Sequence, residues 1–232
     1  MRDNAYVGGE YFERNPTWHV EDSPWKARRI LQLLKRNNVQ PKSICEIGCG
    51  AGEILNQLYL GMPEDTVFSG YEISPQAFDL CRERTKGRLN FYLGDGFEDK
   101  TAYFDVVLCI DVLEHLEDYF SFLRNFKRKG RYKVFHIPLD LSVQTVFRSS
   151  PILWWRHNVR HIHYFTKEIA VEILKDMSYE IIDFSYTAVA IDMPAKSSGS
   201  LLARSLRKMM FGLNEDLTVR ILGGYSLLIL AE

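Results

Sequence analysis

No apolar stretch in these 232 residues approaches the roughly 18 consecutive apolar residues that a membrane-spanning helix needs. The opening MRDNAYVGGEYFERN lacks the apolar centre of a secretory leader. Cysteine is scarce. Cys45, Cys49, Cys81 and Cys109 form no Cys-x-x-Cys pair and fall in apolar or helical segments, which favours reduced core thiols over a disulfide framework. These absences lead to the expectation of a cytoplasmic protein without integral membrane contact. Net charge is nearly absent too, at −1, so no overall basic field draws the chain to nucleic acid or an anionic membrane. Two local basic runs, Arg124 to Lys133 and Arg204 to Lys208, read as solvated helix faces. There is no internal repeat and no low-complexity tract.

What is present is an alternation of strand-like and helix-like segments. After an aromatic opening with Tyr6, Tyr11, Phe12 and Trp18, apolar residues at Ala27, Ile30, Leu31 and Leu34 take helical spacing, and Pro41 ends that helix. Strands are predicted at Ser43 to Ile47, Thr66 to Ile73, Leu89 to Leu93, Phe104 to Ile110 and Tyr132 to Ile137. Helices are predicted at Gly52 to Leu60, Ser74 to Lys86, Leu116 to Lys127 and Thr166 to Met177. Glu180 to Ala188 and Val219 to Leu230 read as two successive strands, hence an antiparallel pair around an insertion at 191–217. Alternation of this kind means an α/β fold with a mainly parallel sheet covered on both faces. Ligands then bind at the carboxyl ends of the strands, so the residues just beyond them carry the chemistry.

The first strand runs into Glu46-Ile47-Gly48-Cys49-Gly50-Ala51-Gly52-Glu53. Glycines at alternate positions let the main chain turn sharply and a ligand approach closely, and the helix start beyond them offers unpaired N–H groups. A dinucleotide fingerprint needs Gly-x-Gly-x-x-Gly, and here Glu53 stands in the third glycine's place. Glu46 and Glu53 suit a ligand with a cationic end better than a pyrophosphate, and S-adenosylmethionine has such an end. Glu72, closing the second strand, can accept from both hydroxyls of a ribose. Asp95, after the third, can accept from an adenine amine or simply make an Asp-Gly turn with Gly96.

With Asp111-Val112-Leu113-Glu114-His115-Leu116 after the fourth strand, the ordered set resembles the class I S-adenosylmethionine-dependent methyltransferases. It is similar in particular to the branch with quinone-biosynthesis and sugar or natural-product enzymes. The resemblance covers about residues 42 to 190. It implies a Rossmann-like three-layer sandwich, seven strands in the order 3-2-1-4-5-7-6 with strand 7 antiparallel. The chain as a whole reads as one methyltransferase domain over 1–232, with an N-terminal lid and helix at 1–40, an acceptor-side loop at 139–165 and a helical insertion at 191–217. By the same resemblance Glu46, Gly48, Cys49, Gly50 and Gly52 hold the methionine part, Glu72 and Ile73 the ribose and adenine, Asp95 and Gly96 the adenine edge, and Ile110, Asp111 and His115 the methyl end.

For the acceptor, a hydroxyl needs a base, and His115, His161 and His163 are the candidates. His115 has a structural alternative, orienting the helix start or the cofactor. His157, His161 and His163 lie close together in sequence, but no cysteine or acidic ligand accompanies them there, so no metal is expected. Phe147, Trp154 and Trp155 from the long loop, with Tyr11, Trp18, His19 and Trp25, read either as a lid or as a satellite core. Leu201, Leu202, Leu206, Met209, Met210 and Phe211, interleaved with basic residues, read as an amphipathic helix that covers the site, packs a partner copy or rests on a membrane surface. The expected activity is methyl transfer to a small-molecule acceptor, foremost a sugar or natural-product hydroxyl. N- or C-methylation of a small molecule, quinone or lipid intermediate is the alternative, and a non-catalytic S-adenosylmethionine-binding subunit the alternative of another class. No nucleic-acid partner is expected, and a monomer or homodimer.

Overall fold

The computed structural model describes residues 4–192 and 198–232. Short helices α1 (Asn4–Val7) and α2 (Glu10–Arg14) precede α3 (Ser23–Arg36). Then follow β1 (Ser43–Ile47), α4 (Glu53–Gly61), β2 (Val67–Glu72), α5 (Pro75–Arg82), β3 (Leu89–Leu93), β4 (Phe104–Ile110), α6 (Tyr119–Lys127) and β5 (Gly130–Pro138). Helices α7 (Val143–Arg148), α8 (Ser150–Asn158) and α9 (Lys167–Asp176) lead to β6 (Ile181–Thr187). Helices α10 (Val189–Asp192), α11 (Ser198–Leu213) and α12 (Glu215–Leu222) lead to β7 (Ser226–Ala231). All seven strands join one sheet in the order β3-β2-β1-β4-β5-β7-β6. Strand β7 runs antiparallel to both neighbours, and the remaining pairs are parallel. This is the expected α/β three-layer sandwich.

Strand β4 shows why the sheet is sealed on both sides. Val106, Leu108 and Ile110 face the α3–α4 layer, where they meet Ile30, Leu33, Leu55 and Leu58. Val107 and Cys109 face the opposite layer, with Leu123 and Phe126 of α6 and Leu174 of α9. A strand buried on both faces has no polar side to spare, so its sequence is an unbroken apolar run. The four cysteines are free and buried, as expected for core thiols.

Several local readings are corrected. The 139–165 stretch is no open loop: Ser142 and Thr145 form a reciprocal capping box that starts α7, and Pro151 sits in the first turn of α8. The strand predicted from Val219 begins only at Ser226. Asn214 accepts a hydrogen bond from the Leu217 amide and starts α12, which runs through Val219. Gly223 and Gly224, both at positive φ, then reset the chain direction. The aromatic opening, for which no periodicity predicted an element, holds two short helices. The basic run is only partly solvated, since Lys129 and Lys133 are buried and donate to the carbonyls of Asp99 and Arg131. Helix α11 is the amphipathic helix expected in the insertion. The side chains of Leu201 and Leu202, and residues 193–197, lie outside the described residues.

Leu108 lies at the centre of the sheet and is fully buried. Leu108→Ala is expected to cost about 2–5 kcal/mol of unfolding free energy, the range for a leucine truncated in a core that collapses incompletely. Denaturant titration measures it.

Candidate active site

The glycine turn takes the shape its residues demand. Gly48, Gly50 and Gly52 all have φ between 55° and 77°. A Cβ on Gly52 would lie 2.5 Å from the Phe91 ring, and one on Gly48 2.8 Å from Val112. Glu72 braces the turn from the next strand. One of its carboxylate oxygens accepts the Gly50 amide and the other the Ser74 amide, each at 2.8 Å. Burial pushes this carboxyl up, while those backbone N–H groups pull it down. Glu46 is buried at the end of β1, and its Oε2 has no hydrogen-bond partner. Burial raises its carboxyl well above the ordinary range.

Glu53 behaves differently from the sequence argument. Its carboxylate is held by Arg84 at 2.7 Å and by Gln57 and Asn56, so it does not stand as an unpaired charge beside the turn.

Beyond the turn lies a cavity of about 490 Å³, within the range of small-molecule sites. Among the predicted residues, Glu46, Gly48, Cys49, Gly50, Glu72, Ile73, Ile110, Asp111, His115 and His161 line it. Gly52 stands just behind, at the start of α4. Asp95 and Gly96 do not line it. Asp95 is exposed and accepts the Phe97 amide at 2.9 Å, the turn geometry open to it from sequence. His163 does not reach it either, because its Nε2 donates to the Leu116 carbonyl at 2.8 Å. Tyr6, Tyr11 and Trp18 form an aromatic roof, with Tyr11 and Trp18 ring centroids 4.8 Å apart. Trp154 and Trp155 join the lining. Trp25 does not: it is buried in α3, with its indole N–H on Asp192. Phe147 is 89% exposed and is no part of the roof.

Four lining residues escaped the sequence reading. Lys26 of α3 places its ammonium 3.0 Å from Asp22 and 2.7 Å from Asp111. The His136 imidazole, at the end of β5, lies 2.5 Å from the other Asp111 oxygen and 2.8 Å from the Thr187 hydroxyl. Burial alone would raise Asp111, but His136 and Lys26 outweigh it and hold the carboxyl far below its ordinary value. Burial likewise opposes the charge on Lys26, and the two aspartates restore it. Asp140 accepts from His161 Nδ1 at 2.6 Å. Glu114 is fully buried and both its oxygens lack a hydrogen-bond partner. A signal existed for His136 and Asp140, which lie at the carboxyl end of the fifth strand, but Pro138 hid how far the site extends. Nothing local marks Lys26.

His115 and His161 meet because the Glu114 carbonyl accepts the amides of both Ile162 (2.8 Å) and His163 (3.1 Å). That backbone clasp lays the second segment on the first, with imidazole centroids 5.0 Å apart. His115 Nδ1 donates to the Arg160 carbonyl at 3.1 Å. Burial, and then the neighbouring His161, push His115 down to about 3, so it is neutral at physiological pH.

Fold and site together define the class: a Rossmann-like methyltransferase sheet with a glycine turn after β1 and an acid closing β2. The chain belongs to the methyltransferase domain family, which matches residues 19–183. It is similar to the mitochondrial ubiquinone biosynthesis O-methyltransferase of Schizosaccharomyces pombe, 33% identical over 110 residues, covering 42% of the chain and 38% of that protein. It is also similar to the small RNA 2′-O-methyltransferase of Mus musculus, 25% identical over 130 residues, covering 49% and 33%. The matches thus span between about a third and two fifths of the length of these two relatives. In fold it resembles the magnesium protoporphyrin IX methyltransferase of Synechocystis PCC 6803, solved with bound S-adenosylhomocysteine. The TM-score is 0.64 at 17% identity, covering 99% and 96% of the two chains.

The charge network around Asp111 has measurable consequences. Lys26→Met leaves two carboxylates without their cation and is expected to cost about 3–5 kcal/mol at pH 7. Asp111→Asn is expected to destabilise at pH 7. Because the folded-state value of Asp111 is depressed, its contribution exists above the unfolded value of about 3.9 and fades as pH falls below it. The gap between wild type and Asp111→Asn in urea unfolding should therefore close on acidification below about pH 4.

Proposed function

We propose that the chain transfers a methyl group from S-adenosylmethionine to a hydroxyl of a small-molecule acceptor. The observation that carries this reading is that one cavity joins the glycine turn, with its unpartnered Glu46 oxygen, to two imidazoles fixed by hydrogen bonds on their Nδ1 atoms. Bound at the turn, S-adenosylmethionine supplies a methyl carbon already activated by a sulfonium. Glu46 suits its ammonium group, and the Glu72 carboxyl, which lines the same cavity at the end of β2, suits the ribose hydroxyls.

The protein's remaining task is alignment and proton removal. A carboxylate and a carbonyl accept only, so the Nδ1 atoms of His161 and His115 carry protons, and in the neutral ring each Nε2 offers its lone pair to the cavity. Nε2 of His161, backed by Asp140, is placed to take a hydroxyl proton, directly or through another bound group. The aromatic roof keeps water from the sulfonium. The two curated relatives described above are named as O-methyltransferases, which favours oxygen as the nucleophile. A sugar or natural-product hydroxyl is the acceptor class proposed. The apolar lining from Trp154 and Trp155 favours a quinone or lipid intermediate as the second reading.

Calorimetry with S-adenosylhomocysteine tests the first half. Wild type should bind it, Glu72→Ala should weaken binding at least tenfold, and binding of NAD in its place would refute the assignment. Transfer of radiolabelled methyl to a panel of hydroxylated acceptors tests the second. His161→Ala is expected to lower turnover roughly 10²–10⁴-fold while S-adenosylhomocysteine affinity stays near wild type.

A further inference from the structure

Glu114, His115 and His161 each bring one potential ligand atom into a cluster, the three atoms within 4.8 Å of one another. We propose that these three residues bind a single divalent transition-metal ion at the acceptor end of the cavity. The absence of a metal was expected because no acidic residue accompanies the histidines in sequence. The clasp at the Glu114 carbonyl removes that premise by bringing Glu114 against His161.

Each ligand is prepared for a cation. Glu114 has no exposed surface, and neither carboxylate oxygen meets a hydrogen-bond donor. Protonation alone would not satisfy it as it stands, since the acceptor beside Oε1, His115 Nε2 at 3.8 Å, is beyond hydrogen-bond distance. A buried carboxylate with two idle oxygens calls for a positive partner, and Lys26 is already held by Asp22 and Asp111. His161 donates Nδ1–H to the Asp140 carboxylate, and His115 donates Nδ1–H to the Arg160 carbonyl. This is how metal-bound histidines are usually held: the outer partner fixes the tautomer and aims the Nε2 lone pair inward. His115 Nε2 lies 3.8 Å from Glu114 Oε1. In a filled site with bonds of about 2.0–2.2 Å, ligand atoms sit roughly 3–4 Å apart, so small side-chain rotations close the three on an ion.

The donor set selects the metal. Two imidazoles and one carboxylate suit zinc, iron(II), cobalt or manganese better than magnesium or calcium, which take oxygen. A closed structural site would use four protein ligands. Three leave positions open toward the cavity, as in catalytic sites. There, and this role alone rests on the proposed O-methylation, the ion would hold the acceptor oxygen and lower its pKa so that its proton passes to solvent, with His161 in the loaded site a ligand and no longer the base.

Cobalt(II) tests the site without any methyl acceptor. The full chain, stripped with a chelator, should take up one equivalent and show the weak visible bands of nitrogen and oxygen ligation, with no intense thiolate band from the buried cysteines. His161→Ala and Glu114→Gln should each weaken uptake at least ~10-fold, and Asp140→Asn less. His157→Ala, at an exposed histidine nearby, should leave uptake unchanged. S-adenosylhomocysteine affinity and thermal unfolding identify variants that still fold. Uptake that is absent in wild type, or unchanged in folded His161→Ala and Glu114→Gln, overturns the proposal. Uptake lost in those variants supports it whether or not a methyl acceptor is found.

Discussion

Asp111 sits where β4 ends, with its backbone in the left-handed region at φ 53°, and its carboxylate is held between Lys26 and His136. These contacts tie the N-terminal helix to two neighbouring strands, and His136 carries the link on to Thr187 at the end of β6. Without Lys26 the carboxylate would face His136 alone beside the buried Glu46, Glu72 and Glu114. Several acidic groups at the carboxyl edge of one sheet repel one another unless a cation stands among them. The position of α3, and of the aromatic roof that precedes it, follows from that requirement as much as from the apolar contacts of Ile30 and Leu33.

The cavity divides into two halves of different origin. The cofactor half is built by short-range geometry: a strand, three glycines in the left-handed region, a helix start, and one glutamate from the adjacent strand. The acceptor half is built by long-range contacts, Glu114 with Ile162 and His163, His161 with Asp140, Tyr6 and Tyr11 against His115. The first half is general to an adenosine ligand. In the function proposed above the second half faces the methyl acceptor, and its donors are arranged as a carboxylate flanked by two oriented imidazoles.

Sequence patterns were most legible where one physical cause acts alone. The apolar run Phe104 to Ile110 has to be a strand covered on both faces, and Ser74-Pro75 has to open a helix. They failed where two causes compete. Val219 to Leu222 is as apolar as a strand, yet the cap at Asn214 and the glycines at 223 and 224 make it a helix with a sharp exit. Asp95 follows a strand like a ligand-binding acid, yet one of its oxygens accepts the Phe97 amide and it stands outside the cavity lining. Glu53 carries the charge anticipated, and Arg84, more than 30 residues on, neutralises it.

The sequence by itself determined the alternation of strands and helices, the glycine turn, the acid that braces it and the family resemblance, because each depends on periodicity or on neighbours a few residues apart. Tertiary structure alone decided which side chains meet. Lys26 with Asp111, Asp140 with His161, and Glu114 with two imidazoles are separated by up to 85 positions along the chain, and only the crossing of loops at the sheet's carboxyl edge brings them within bonding distance. The electrostatics of the site follow from those meetings, since the state of a buried carboxylate depends on the charge beside it rather than on its place in the sequence.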